Sequence, residues 1–157
     1  MPFDPASMAL FHCGPVARKT GTGWHIVAAG PTTSMRMEPY EKRFLDAFGI
    51  KIVIGKGGMG ARTQAALKQH GAVYAHYTGG AGALAAKAIE KVKDVFWLEE
   101  LGMAEAVWLL EVRRFGPLYV TMDSVGGNLY TDLAKDVAEN QQLIHAKIAD
   151  GGGRFDG

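Results

Sequence analysis

At 157 residues the chain is long enough to bury about 70% of its unfolded surface, which suits one domain with a real core rather than two. Hydrophobic residues make up 48% and charged residues 21%, with a formal net charge of +1; the Lys and Arg residues form no basic stripe, so a nucleic-acid partner is not implied. No apolar run approaches the ~20 residues that span a bilayer, the opening MPFDPASMALFHCG lacks the basic start and apolar core of a signal peptide, and a single cysteine, Cys13, excludes an internal disulfide. The expected compartment is the cytoplasm, with no membrane partner.

In chain order, residues 1–7, with Pro2 and Pro5, predict an irregular lead-in, and Met8 to His12 a short apolar strand ended by Gly14-Pro15. Cys13, at the strand end, is expected to be a small buried hydrophobe. Thr20-Gly21-Thr22-Gly23 signals a turn, and Trp24 to Ala29 a strand running into the polar loop GPTTSMR at 30–36. Pro39 to Phe48 carries Tyr40, Phe44, Leu45 and Phe48 at helical spacing, with Glu38, Glu41, Lys42, Arg43 and Asp46 between them. Gly49 ends that helix. Ile50 to Ile54 predicts a strand buried on both faces, followed by the second polar loop, GKGGMG at 55–60.

A helix over Thr63 to His70 and a strand over Ala72 to Tyr77 follow, then a third glycine loop, Thr78-Gly79-Gly80-Ala81-Gly82, opening onto a helix over Ala83 to Lys91. Val95 to Trp97 predicts a short strand, Glu99 to Met103 a polar corner, and Val107 to Val112 and Leu118 to Asp123 two further strands. Gly126-Gly127-Asn128 signals a hairpin turn, residues 131–149 a helix, and 151–157 a frayed tail.

Chemistry concentrates in the first two loops. Arg36 presents a guanidinium that can grip a carboxylate through two parallel hydrogen bonds, beside the hydroxyls of Thr32 and Thr33, and Lys56 adds a second positive point. Backbone N–H groups at the helix start beyond the first loop would also favour anions. The alternative for Arg36 is a surface ion pair, and for Lys56 a solvated turn. A phosphate- or nucleotide-binding module is a competing class for GKGGMG, but a Walker loop needs its lysine last before Ser or Thr, and the acidic residue of a dinucleotide site is missing about 20 positions on. A non-catalytic assembly subunit is the third class. His25, His70 and His76 form no ligand pair, and the adjacent Glu99 and Glu100 point different ways, against a paired acid/base device.

The order of motifs carries a resemblance. His12-Cys13-Gly14-Pro15, GPTTSMRM, GKGGMG, Tyr77-Thr78-Gly79-Gly80, Glu100-Leu101-Gly102-Met103 and Phe115-Gly116-Pro117-Leu118 resemble the beta-subunit or C-terminal region of iron–sulfur hydro-lyases, the class I fumarases and L(+)-tartrate dehydratases, over roughly residues 10 to 130. That resemblance implies an α/β fold of the three-layer β/β/α swivelling type across 1–157. It implies a beta component that adds or removes water on a small dicarboxylate, fumarate/malate or tartrate/oxaloacetate. Thr32 falls on the proposed proton-exchanging threonine, with Thr33, Arg36 and Lys56 as substrate-binding residues. A 4Fe-4S cluster is expected in an alpha partner and none in this chain, since such clusters take three or four thiolates, and the assembly is expected to be a homo- or hetero-oligomer. Family beta regions begin upstream of the His-Cys-Gly-Pro segment, with strands and a Gly-Arg-Asp motif that has no counterpart here, so a sheet edge or apolar face is expected to be uncovered.

Overall fold

The computed structural model describes residues 2–21 and 23–149 and separates into two compact units, Met1–Gly127 and Asn128–Gly157. The chain has an α/β fold. In the first unit a four-stranded sheet is ordered β1 (Ala9–Phe11), β4 (Ile52–Gly55), β5 (Val73–His76), β8 (Tyr119–Met122), the first three parallel and β8 antiparallel to β5. Parallel neighbours need crossovers. Helices α1 (Glu38–Phe48) and α2 (Ala61–His70) belong to those connections, each stopped by a glycine in the left-handed region, Gly49 at φ 64° and Gly71 at φ 61°.

The parallel register decides which side chains share a face. Leu10, Val53 and Tyr74 are paired across β1, β4 and β5, as are Phe11, Ile54 and Ala75. The first set, continued by His12, faces α1, because His12 and Tyr74 hydrogen-bond to Glu41 and to Ser34 just before that helix. The second set packs against Ile26, Ala85, Trp108 and Leu110. Those residues come from a second β layer and from α3 (Gly82–Lys87): the hairpin β2 (Val16–Thr20)–β3 (Gly23–Ala28) lies beside the hairpin β6 (Ile89–Phe96)–β7 (Val107–Val112), with β3 against β6. Fully buried Leu45, Leu67 and Tyr74 each contribute about 1.5–3 kcal/mol of apolar transfer.

Several expectations are corrected. Helix α3 ends at Lys87 rather than Lys91, and residues 89–96 are strand. Bulges between Ile89 and Lys91 and between Val92 and Asp94 leave Ile89, Val92 and Val95 half-buried at every third position. That spacing imitates a helix, because each bulge breaks the two-residue alternation. Strand β2 has no sequence expectation behind it, and β4 is not buried on both faces at its start, where Ile52 is 43% exposed. In α1 the buried positions are Glu41 and Leu45, with Glu41 at 2% exposure and Tyr40 at 64%. The turn at 123–127 is not a hairpin: Asp123 Oδ1 accepts N–H groups of Val125, Gly126 and Gly127. Those bonds, led by Gly127, hold its carboxyl below the usual range. Residues 98–101 form the short helix α4.

The second unit is a helix, α5 (Leu129–Ala149), capped by Asn128 Oδ1 on the N–H groups of Tyr130 at 3.1 Å and Thr131 at 3.4 Å. It has no buried residue. No helix among the described residues is long and apolar enough to cross a membrane. The expected tail at 151–157 lies outside the described residues, as does Thr22 of the expected turn.

Candidate active site

Three loops meet where the parallel strands end at their carboxyl termini, the edge at which open α/β sheets bind ligands. Residues 30–34 are stitched between the ends of β1 and β4. Thr32 N–H donates to the His12 carbonyl at 2.7 Å and Ser34 N–H to the Lys56 carbonyl at 3.1 Å. Cys13 bridges Pro31 and Thr33 bridges Lys56. The third loop closes on the first, Ala29 N–H donating to Gly82 O at 2.9 Å. A Cβ at Gly79 would sit 3.4 Å from Lys56 Cδ, so the lysine stem lies across that glycine.

The predicted residues are therefore partly assembled by backbone pairing. Thr32 and Lys56 are half-buried and Thr33 and Arg36 exposed. Arg36 sits in a 3-10 turn over Ser34–Met37, its N–H on the Thr33 carbonyl at 3.2 Å. Among the described residues neither Arg36 nor Lys56 takes part in an ion pair. Two uncompensated cations on adjoining loops favour a small anion.

Beyond the second loop, the start of α2 is already taken. Glu38 turns its carboxylate onto the beginning of α2, accepting from Gly60 N–H at 2.8 Å, Arg62 N–H at 3.2 Å, Thr63 N–H at 3.3 Å and the Thr63 hydroxyl at 2.6 Å. A side chain at Gly60 would collide with that carboxylate. The N–H groups of Gly60, Arg62 and Thr63, which a phosphate at the start of α2 would use, are thus occupied by the protein's own anion. Gly57 and Gly58, at φ 81° and 76°, turn the loop through a region only glycine enters freely.

Beneath the loops lies a buried polar cluster. Ser34 Oγ is 3.0 Å from His12 Nδ1 and accepts the Tyr74 hydroxyl at 2.9 Å and Lys56 N–H at 3.2 Å, while His12 Nε2 lies 3.0 Å from Glu41 Oε2. Sequence reasoning missed Ser34, Glu41, Tyr74 and Glu38. One signal was present: Glu41, Leu45 and Phe48 recur at i, i+4, i+7, so Glu41 is in phase with the buried stripe. Of the other candidates, Glu99 and Glu100 are exposed in α4, His70 binds Asp46 at 2.8 Å, and His76 Nδ1 takes Gly57 N–H at 3.4 Å.

No group of three His, Cys, Asp or Glu residues among those described could hold a metal ion. Cys13 packs against the core between the sheet and the second β layer, and burial pushes its thiol up to about 12, the reverse of the thiolate that a cluster ligand needs. These residues do not fit an iron–sulfur cluster.

Residues 1–133 match the family model described as Fumarase C-terminus. The chain belongs to that family. It is 41% identical over 150 residues to the L(+)-tartrate dehydratase subunit beta of Escherichia coli (strain K12), covering 96% of this chain and 74% of the relative. It is 42% identical over 139 residues to a putative L(+)-tartrate dehydratase subunit beta of Methanocaldococcus jannaschii, covering 88% and 71%. A putative fumarate hydratase class I of Geobacillus stearothermophilus is 48% identical over 139 residues, covering 88% of this chain and 27% of that protein. As a member of the Fumarase C-terminus family the chain is a hydro-lyase component. Among the described residues β1 pairs only with β4 in its sheet, and an apolar cavity of about 440 Å³ is lined by Leu10, Phe11, Phe44, Ile50, Val107 and Trp108.

Proposed function

We propose that this chain is the beta component of a cytoplasmic hydro-lyase that reversibly adds or removes water on a small dicarboxylate, fumarate/malate or tartrate/oxaloacetate, at a site shared with an iron–sulfur alpha component. The observation that carries the reading is the pair of cations without ion-pair partners among the described residues, Arg36 and Lys56. They stand on loops zipped together by Ser34 and Lys56 at the carboxyl ends of parallel strands. In this reading the 4Fe-4S cluster belongs to the alpha component and none to this chain.

This chain's part is to bind and orient. Arg36 clamps one carboxylate through its planar fork, with the Thr33 hydroxyl beside it, and Lys56 neutralises further charge on the substrate. Thr32, the residue between Pro31 and Thr33, takes the proton-transfer role at the substrate carbon; a threonine hydroxyl is a poor base alone and needs a relay from neighbouring donors. The dicarboxylate reading makes a clear demand. Co-expressed with an alpha partner and assayed anaerobically, the complex should hydrate fumarate or dehydrate tartrate, and the purified chain alone should do neither. Turnover by the isolated, iron-free chain would overturn the shared-site reading, and micromolar nucleotide binding without a dicarboxylate response would favour the phosphate cradle.

A further inference from the structure

His12 touches the first loop twice. Its carbonyl receives Thr32 N–H, and its imidazole meets Ser34 Oγ, the same oxygen that receives Lys56 N–H. The ring is held in turn by Glu41 from α1. His12, Ser34 and Glu41 are all buried, Ser34 completely. We propose that Glu41, His12 and Ser34 form a positioning chain that sets the spacing of Thr32 and Lys56 across the two loops. The proposal rests on the hydro-lyase reading only in what Thr32 and Lys56 face.

The direction of the chain follows from counting lone pairs. Ser34 Oγ accepts the Tyr74 hydroxyl and Lys56 N–H, which fills its two acceptor positions, so its own proton goes to His12 Nδ1. Nδ1 is then an acceptor, and Nε2 carries the hydrogen donated to Glu41 Oε2. The Ser–His–Glu sequence has the outline of a nucleophile, a base and an orienting carboxylate. It is not a nucleophile here, because Ser34 is fully buried and its oxygen is engaged by three partners. Gly55 shows how tightly that oxygen is held: a Cβ there would collide with Ser34 Oγ and lie 2.9 Å from the Tyr74 hydroxyl and 3.2 Å from His12 Nδ1.

A chain of this kind acts on geometry more than on binding. In the complex with the alpha component, Ser34→Ala should lower kcat about 10- to 100-fold. KM should stay nearly constant, because Arg36 and Lys56 keep their charges. Two substitutions at His12 separate positioning from packing. His12→Asn places an amide oxygen near the Nδ1 position and keeps the link to Ser34; His12→Gln fills more of the ring's volume but reaches toward Glu41 instead. Positioning predicts that His12→Asn retains the higher kcat although it leaves the larger void. The opposite order, or a raised KM with kcat intact in Ser34→Ala, overturns the proposal.

Two measurements do not depend on turnover. Nitrogen NMR of histidine-labelled protein should find His12 as the Nε2–H tautomer, and the Lys56 amide should exchange slowly in the wild type and fast in Ser34→Ala. An Nδ1–H tautomer or an unchanged Lys56 amide refutes the chain. A wild-type complex inactive on every dicarboxylate, with both NMR signatures present, would instead overturn the hydro-lyase reading and leave the positioning chain standing.

Discussion

On the helix-facing side of the central sheet, His12, Ser34, Glu41 and Tyr74 are buried and joined by hydrogen bonds, and Glu38 caps the neighbouring helix. On the opposite side, Phe11, Tyr77 and Phe115 meet ring to ring at centroid distances of 5.1 to 6.1 Å, with Trp24 against Trp108 at 5.4 Å. Apolar packing is non-directional and grows with area, so the aromatic side can hold the layers together without specifying the place of any one loop. Hydrogen bonds between buried groups are directional and costly to leave unmade, so the polar side adds little net stability but locates Thr32 and Lys56.

Breaking each side should therefore damage different properties. The largest stability loss is expected on the apolar side: Ile26→Ala, at a site 4% exposed, should cost about 3 kcal/mol in denaturant unfolding, with kcat of the folded complex unchanged. A matching fall in kcat below the melting range would mean that the two sides are not separable. At the polar edge, Arg36→Ala should leave unfolding unaltered while kcat/KM drops about 50- to 100-fold, the equivalent of the ~2–3 kcal/mol expected for a charged hydrogen-bonded contact. Arg36→Lys should recover little, since it keeps the charge and loses the fork. Unfolding of Arg36→Ala, or unaltered kinetics, would remove the clamp.

A smaller effect is expected beneath the loops. Glu38→Gln removes the charge from a carboxylate that receives four hydrogen bonds at the start of α2 and should cost about 1–2 kcal/mol, seen as faster amide exchange in residues 61–64. The smallest lies on the outer surface of α1. Hydrogen bonds from Lys42 and then His70 hold the Asp46 carboxyl below the usual carboxylate range. With a lowered folded pKa, its contribution is present above the unfolded carboxyl range and fades as pH falls below about 4. Asp46→Asn should thus differ from wild type only slightly at pH 7, and the difference should shrink as pH falls below about 4. A gap that widens in acid would reverse the sign.

The sequence by itself determined the family and most of the elements, and it singled out Thr32, Thr33, Arg36 and Lys56 as candidates. Glycine loops, helix stops and apolar runs are local signals, and each is set by the conformations that a few neighbouring residues allow. The same locality explains the errors. Strand β6 was hidden by bulges whose cause is its pairing with β7, and the hairpin expected at 126–128 gave way to Asp123 gathering three N–H groups.

Only the tertiary structure decided the fate of the polar groups. Glu38 and Glu41 are three residues apart on one helix, alike in chemistry and in their sequence surroundings, yet one plugs the start of α2 and the other holds His12. Their partners lie 22 to 29 residues away along the chain, brought within 3 Å by the crossovers between parallel strands. Nor could the sequence show that the N–H groups of Gly60, Arg62 and Thr63 beyond the glycine loop are already filled by Glu38. A buried hydrogen bond depends on a partner's position in space, and that position exists only once the sheet has formed.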